Sequence, residues 1–263
     1  MPGADLPLLI DAARMAGRIA TSFSGARAQR WDKPDGAGPV TEADLAVDRA
    51  LHRTLTLARP DYGWLSEESE DDTERLSREH VFIIDPIDGT RSFTEGANTW
   101  AHALAVAERG EITAAVIYLP LRDLLYSARR GGGAYLNGVR VHASPVAAME
   151  DATILAAKPA LAASLWRAGA CPAFKRAYRP SLAYRLGLVA QGRFDAMLTL
   201  RPSWEWDIAA GALIVAEAGG RCSDRHGRDL VFNNADPRLD GVVAGGCPIH
   251  DAVIDALDPV ATR

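Results

Sequence analysis

Eleven residues constrain this chain more than any other stretch: Phe82-Ile83-Ile84-Asp85-Pro86-Ile87-Asp88-Gly89-Thr90-Arg91-Ser92. Val81 to Ile84 is an apolar run rich in β-branched side chains, which reads as a buried strand. Pro86 has no N–H to donate, so the strand's ladder stops there. Gly89 and Thr90 read as the opening of a turn or helix, where backbone N–H groups are free. Two carboxylates, Asp85 and Asp88, thus stand at the end of a buried strand beside an amide nest. Carboxylate oxygens bind hard cations such as Mg2+, and exposed N–H groups at a helix start bind phosphate. Together they suggest metal-assisted phosphate chemistry. The plainer reading, that both acids merely cap a turn, stays open on this stretch alone.

A chain of 263 residues allows one large domain or two subdomains sharing a core. Its net charge of −5 leaves no basic field to hold a nucleic-acid backbone, and suits a protein that gathers cations before binding an anion. Cys171, Cys222 and Cys247 show no CxxC spacing, which speaks against a disulfide framework and a zinc site; they read as reduced and mostly buried. No apolar run approaches the ~20 residues that span a bilayer. Asp5, Asp11 and Arg14 interrupt the N-terminal apolar pattern, so it does not read as a secretory signal. A cytoplasmic protein with neither membrane nor nucleic-acid partner is expected.

Asp5 to Ala20 reads as a helix, with Leu9, Ala13, Ala16 and Ala20 on one stripe. Trp31 to Pro39 reads as a loop. A second helix is expected from about Glu42 to Leu57, capped by Thr41, with Leu45, Val47 or Asp48, Leu51 and Leu55 as its stripe. Trp100 to Ala107, Ile112 to Tyr118 and Leu124 to Ala128 read as an antiparallel meander, and Gly131-Gly132-Gly133 and Asn137-Gly138 as turns. From about Ser144 the character changes. A strand Thr153 to Ala156, helices near Pro159 to Ala168 and Leu182 to Gln191, a strand Ala196 to Leu200 and a helix Ile208 to Ala218 alternate as in an α/β half.

Three further segments set acids at element boundaries: Thr41-Glu42-Ala43-Asp44, Ser66-Glu67-Glu68-Ser69 and Trp204-Glu205-Trp206-Asp207. Each has a plainer reading. Asp44 suits a helix dipole, the acidic run suits a solvated face, and Asp207 stands where an N-cap worth ~1 kcal/mol would stand.

Taken in order, however, these motifs, with Asp-Pro-Ile-Asp-Gly-Thr and a helix ending Glu217-Ala218-Gly219-Gly220, resemble the inositol monophosphatase family. That family belongs to the lithium-sensitive, Mg2+-dependent phosphatases, and the resemblance runs from about Leu9 to Leu257. It implies that Glu67 and Asp85 bind a first Mg2+ with the backbone carbonyl of Ile87. Asp85 would bridge to a second ion held also by Asp88 and Asp207, and Glu67 would help hold a weaker third ion through waters. The N–H groups of Gly89 and Thr90 would hold the phosphate. Asp44 and Thr90 would orient or deprotonate the attacking water, with Glu68 in support. Mn2+ would substitute, and Li+ or Ca2+ would inhibit. Two cations a few ångström apart neutralise a phosphate monoester and make water more acidic. No Gly-x-Ser-x-Gly is present, so serine-triad chemistry is not expected. Haloacid dehalogenases also carry an Asp…Asp-Gly-Thr strand end, but with one residue between the acids; here Pro86 and Ile87 intervene.

The resemblance further implies a layered α-β-α-β-α sandwich, of α+β and α/β character, in two tightly joined subdomains. Residues 1–143 would form an α+β unit carrying most metal ligands. Residues 144–263 would form an α/β unit carrying Asp207 and the substrate-selecting loops. A homodimer is implied too. For substrate, inositol monophosphatases carry an acid several positions before Trp-Asp, whereas this chain reads Leu198-Thr199-Leu200-Arg201-Pro202-Ser203. An arginine there suits a second phosphate better than a polyol. The segment Ser181-Leu182-Ala183-Tyr184-Arg185 is more similar to the 3′(2′),5′-bisphosphate nucleotidases, with Tyr184 or Trp204 as a platform for a base. Ser181, Tyr184, Arg185 and Arg201 are the expected substrate contacts. The expected activity is thus Mg2+-dependent hydrolysis of 3′-phosphoadenosine 5′-phosphate. Inositol 1-phosphate is the alternative, and a fructose-1,6-bisphosphatase-like or inactive protein comes after it.

Overall fold

In the computed structural model the described residues are 5–23, 28–33 and 38–259. Helices α1 (Asp5–Ser22) and α2 (Glu42–Ala58) bury the stripes their sequences carry, Leu9, Ala13, Ala16 and Ala20 on the first and Val47, Leu51 and Leu55 on the second. Thr41 caps α2 in a capping box: its hydroxyl accepts from the Asp44 N–H, and its own N–H donates to Asp44 Oδ2 at 2.8 Å. The expected loop from Trp31 to Pro39 begins and ends as paired strand. Arg30–Asp32 (β1) runs antiparallel to Pro39–Thr41 (β2), and residues 34–37 of that loop lie outside the described residues.

A seven-stranded sheet follows in chain order: Gly63–Ser66 (β3), His80–Asp88 (β4), Ala101–Glu108 (β5), Glu111–Leu119 (β6), Leu124–Arg129 (β7), Ala134–Leu136 (β8) and Val139–Arg140 (β9). β3 lies parallel to β4 and every later neighbour is antiparallel, so the expected meander is present. β4 is buried on both faces. Phe82 and Ile84 point into the core under α1 and α2, while Val81 and Ile83 point into the core on the opposite face. That opposite face is covered by α4 (Leu182–Ala190) and α5 (Glu205–Glu217).

Those two helices pack in turn against a second sheet built from Thr153–Ala156 (β10), Lys175–Ala177 (β11), Ala196–Thr199 (β12), Gly220–Ser223 (β14) and Val242–Gly246 (β16), in the order β11-β10-β12-β16-β14. Short Ser203–Trp204 (β13) pairs with Arg238–Leu239 (β15). The outer face of the second sheet is closed by α6 (Cys247–Ala256) through Ile249 and Val253. The layers therefore run α-β-α-β-α, as the resemblance implies. α5 is apolar all round because it lies between two sheets. Small residues let it approach its neighbours: a Cβ on Gly211 would sit 2.3 Å from Leu186 Cδ1 of α4.

Several expectations need correction. The helix expected near Pro159 to Ala168 is two 3-10 turns, Lys158–Leu161 and Ala163–Leu165. Trp166 is extended and bridges to Leu257, and its indole N–H donates to the Ala160 carbonyl, so tertiary contacts override a modest helical propensity. The last helix-bearing motif begins earlier than expected, at Glu205, with Trp204 as N-cap; Asp207 is inside the first turn and does not cap it. The three cysteines are free, but they are not mostly buried: Cys171 and Cys222 are half-buried and Cys247 is exposed. Among the described residues no helix is long and apolar enough to cross a membrane.

Candidate active site

The site starts from an irregularity in β4. Against β5, Asp85 pairs with Ala103 and Asp88 with Ala101, so three steps on β4 are matched by two on β5. Pro86 and Ile87 together face the single residue His102, which is a β-bulge. In a regular strand, residues three apart point to opposite faces. The extra residue restores the phase, so that Asp85 and Asp88 turn to the same side.

Asp207 reaches this point from the first turn of α5. Asp85, Asp88 and Asp207 each offer a carboxylate oxygen, and these oxygens lie within 4.8 Å of one another. Asp85 is buried and its Oδ1 has no hydrogen-bond partner. Burial drives its pKa well above the ordinary carboxylate range, and Glu67, Asp88 and Asp207 push it further. Asp207 is driven up in the same way, by burial and then by Asp88 and Glu67. Asp88 is also raised by burial, against the lowering effect of donors at the start of α4: Ser181 Oγ at 2.5 Å and the Ala183 N–H at 2.6 Å. An all-oxygen set of crowded carboxylates with one unpartnered buried oxygen fits a hard divalent cation.

Beyond Asp88, Gly89 adopts φ 95°, a left-handed conformation that favours glycine, and opens the short helix α3 (Thr90–Thr94). Thr90 Oγ1 is 3.3 Å from Asp44 Oδ1 and 3.2 Å from the Ile87 carbonyl. Asp44 Oδ2 is already held by the Thr41 N–H and hydroxyl. Its carboxylate is pushed up to about 6, chiefly by burial. Asp44, Thr90 and Ile87, expected to share a site, are thus joined by hydrogen bonds.

Glu67 and Glu68 leave the end of β3. The Glu67 N–H donates to the Ile84 carbonyl of β4 at 3.2 Å, which ties the acidic turn to the metal-motif strand. Burial, then Glu67, raises Glu68 to about 7. Two residues that sequence reasoning missed organise this turn. Asp48, on the apolar stripe of α2, accepts from Ser66 Oγ at 2.6 Å and Ser69 Oγ at 2.7 Å. A carboxylate on a buried stripe was the available signal. Lys33, beside β1, donates to Glu67 Oε1 and Glu68 Oε1, both at 2.8 Å. Nothing in its local sequence pointed there, because the contact spans more than thirty residues.

The expected substrate contacts divide. Ser181 is buried, caps α4 by accepting from the Tyr184 N–H, and donates to Asp88. Its hydroxyl therefore supports a metal-motif acid. Tyr184 is buried in the core, and the Arg122 guanidinium stands 5.4 Å from its ring centroid, so it has no free face for a base. Arg185 is buried as well, with its guanidinium 4.5 Å from the Tyr178 ring centroid and donating to the Arg179 carbonyl. Trp204 stacks on Trp206 at 4.7 Å, with Arg238 5.5 Å from its ring centroid. Arg201 is exposed, and its charge lowers the otherwise raised pKa of Asp207.

The sequence profile of the inositol monophosphatase family matches residues 6–257. The chain belongs to the inositol monophosphatase family. It is 34% identical over 237 residues to the inositol-1-monophosphatase of Rhizobium meliloti (strain 1021), covering 84% of this chain and 86% of that one. The histidinol-phosphatase of Chlorobaculum parvum is 32% identical over 246 residues, 87% of this chain and 89% of that one. Among solved structures, the extragenic suppressor protein SuhB of Bartonella henselae superposes with a TM-score of 0.81 at 31% identity, covering 96% of this chain and 97% of that one. This inositol monophosphatase family member is a phosphoric monoester hydrolase, and its family is metal-dependent and acts on small phosphate monoesters.

Proposed function

We propose that this enzyme hydrolyses inositol 1-phosphate or a closely related polyol monophosphate, using Mg2+. The observation that carries the chemistry is the convergence of Asp85, Asp88 and Asp207, one oxygen unpartnered, beside the Thr90–Asp44 pair. The names of the similar proteins support the inositol reading ahead of the nucleotidase reading. The burial of Tyr184 removes one of the two aromatic platforms, Tyr184 and Trp204, on which the nucleotidase reading partly rested.

Glu67, Asp85, Asp88, Asp207 and the Ile87 carbonyl would hold two or three Mg2+ ions, which supply positive charge against the phosphate and the leaving alkoxide. The N–H groups of Gly89 and Thr90 face the phosphate. Thr90 Oγ1, with its proton directed to Asp44 Oδ1 or the Ile87 carbonyl, accepts a hydrogen bond from the attacking water. The water oxygen adds to phosphorus in line as the P–O bond to the alcohol breaks; with the Thr90 proton on Asp44 Oδ1, the water's proton passes through Thr90 to Asp44, and the leaving alkoxide takes its proton from solvent water. In the metal-free protein burial raises the Asp44 carboxylate, which makes it a better proton acceptor than an exposed aspartate. Lys33 bridges Glu67 and Glu68 and screens their charges from each other.

A second reading keeps the bisphosphate nucleotides, because Arg201 is exposed, its charge acts on Asp207, and an arginine suits a second anionic group. Phosphate release should be measured from inositol 1-phosphate, histidinol phosphate, adenosine 3′,5′-bisphosphate and fructose 1,6-bisphosphate, each with Mg2+, EDTA, or Mg2+ plus Li+. The proposal expects inositol 1-phosphate to give the highest kcat/KM, with EDTA abolishing release and Li+ inhibiting it. A highest kcat/KM for adenosine 3′,5′-bisphosphate would install the second reading. From the family resemblance we also infer Mn2+ substitution, inhibition by Ca2+, a cytoplasmic location and a homodimer, the last checked by light scattering.

A further inference from the structure

We propose that His102 is a positioning residue for the metal-binding acids. It holds the β4 bulge in the one phase that brings Asp85 and Asp88 together. This inference rests on the metal reading of the site given above.

The geometry comes first. His102 on β5 is the single residue opposite Pro86 and Ile87. Pro86 has no N–H, so β4 cannot close the ladder from this position. The His102 side chain closes it instead: Nδ1 lies 2.5 Å from the Pro86 carbonyl oxygen. A carbonyl oxygen only accepts, so Nδ1 must carry the proton. In a neutral ring Nε2 is then bare, and Nε2 is indeed a buried nitrogen without a partner. Burial keeps the ring neutral, with its pKa pushed down to about 4. Trp100 and Tyr118 flank the imidazole, with ring centroids at 5.4 and 6.4 Å. The ring is therefore fixed in position and in tautomer. An unpartnered buried nitrogen is costly, and the compensating bond is the one to Pro86.

The consequence falls on the acids. Pro86 sits between Asp85 and Ile87, and Asp88 follows. If the bulge relaxed to a regular ladder, Asp85 and Asp88 would point to opposite faces. One of them would leave the cluster, and the Ile87 carbonyl would turn with the strand. Donors that orient metal ligands at one remove commonly change metal affinity 10–100-fold when removed.

The test is direct Mn2+ binding, with free Mn2+ counted by electron paramagnetic resonance in the absence of substrate. Three variants are compared: His102→Asn, whose amide N–H lies near the Nδ1 position; His102→Gln, whose amide lies one bond further out; and His102→Leu, which has no donor. Melting curves followed by circular dichroism establish that each is folded. The expected result is Mn2+ affinity for His102→Asn within about threefold of the parent, and about tenfold weaker binding for His102→Leu and His102→Gln. If His102→Leu does not fold, the Asn and Gln variants decide alone. Equal affinity across the folded variants and the parent overturns the role of His102. So does His102→Asn binding as weakly as His102→Gln, since ring shape and not the donor would then matter. A parent protein that binds no Mn2+ overturns the metal reading itself, and this inference with it.

Discussion

Replacing Asp85 with Asn should stabilise the metal-free protein and at the same time abolish its response to Mg2+. Asp85 is buried, its Oδ1 is unpartnered, and Glu67, Asp88 and Asp207 all disfavour its charge. Asparagine keeps the volume, removes the charge, and offers an N–H to carboxylate oxygens within 4.8 Å. Relieving a buried, repelled carboxylate and making one such bond is worth ~1–3 kcal/mol. For a chain of this size that corresponds to a rise in Tm of roughly 2–4 °C per kcal/mol. With saturating Mg2+ the order reverses. The parent gains binding free energy, ~4.1 kcal/mol at a thousand times Kd, which exceeds the ~1–3 kcal/mol advantage of the variant, and the variant gains almost none. The assay is a pair of thermal melts at pH 7.5, in EDTA and in millimolar MgCl2, alongside phosphate release, which should be lost. A variant that melts below the parent in EDTA, or that still rises with Mg2+, would refute the reasoning that this oxygen is reserved for a cation.

Thr90→Val removes the hydroxyl that links Asp44 to the Ile87 carbonyl; kcat should fall about 10²-fold or more with a smaller change in KM, measured by phosphate release. Gly211→Ala places a methyl 2.3 Å from Leu186 Cδ1 between α4 and α5, and should cost ~1–3 kcal/mol, seen as a lower Tm. The pH dependence of the metal-free fold follows from raised carboxylates. Asp44 at about 6 and Glu68 at about 7 hold their protons more tightly folded than unfolded. Their contribution is complete below the ordinary carboxylate pKa of ~4 and is lost as pH rises through 6 and 7. Melts in EDTA should therefore fall in Tm between pH 4 and 8, and saturating Mg2+ should flatten that fall.

Much of this molecule is legible in its sequence, for reasons that can be named. The Phe82–Ile84 run is buried on both faces and Gly89 opens a helix, so the core of the central strand and the start of α3 are legible locally; the ladder does not stop at Pro86, as its missing N–H suggests, but resumes at Asp88 beyond the bulge. Thr41 and Asp44 form a capping box within four residues, which made α2 and its first-turn acid legible too. The parts that were missed depend on distance along the chain. Lys33 meets Glu67, and Ser181 meets Asp88, only after folding. The bulge opposite His102 is a matter of register between two strands, and no pattern in either strand states it. The segment from Pro159 to Ala168 carries a helical pattern, but the long-range tie between Trp166 and Leu257 holds its end extended. Tyr184 is a matter of orientation: α4 is buried on every side, so an aromatic ring that could have stacked on a base is core.

On the function proposed here, the four acidic segments converge to gather divalent cations. Crystals grown with Mn2+ and measured at its absorption edge test this most directly. Anomalous peaks are expected among Asp85, Asp88 and Asp207, with a further contact to Glu67. The absence of any peak there, or peaks only on surface carboxylates, would contradict it.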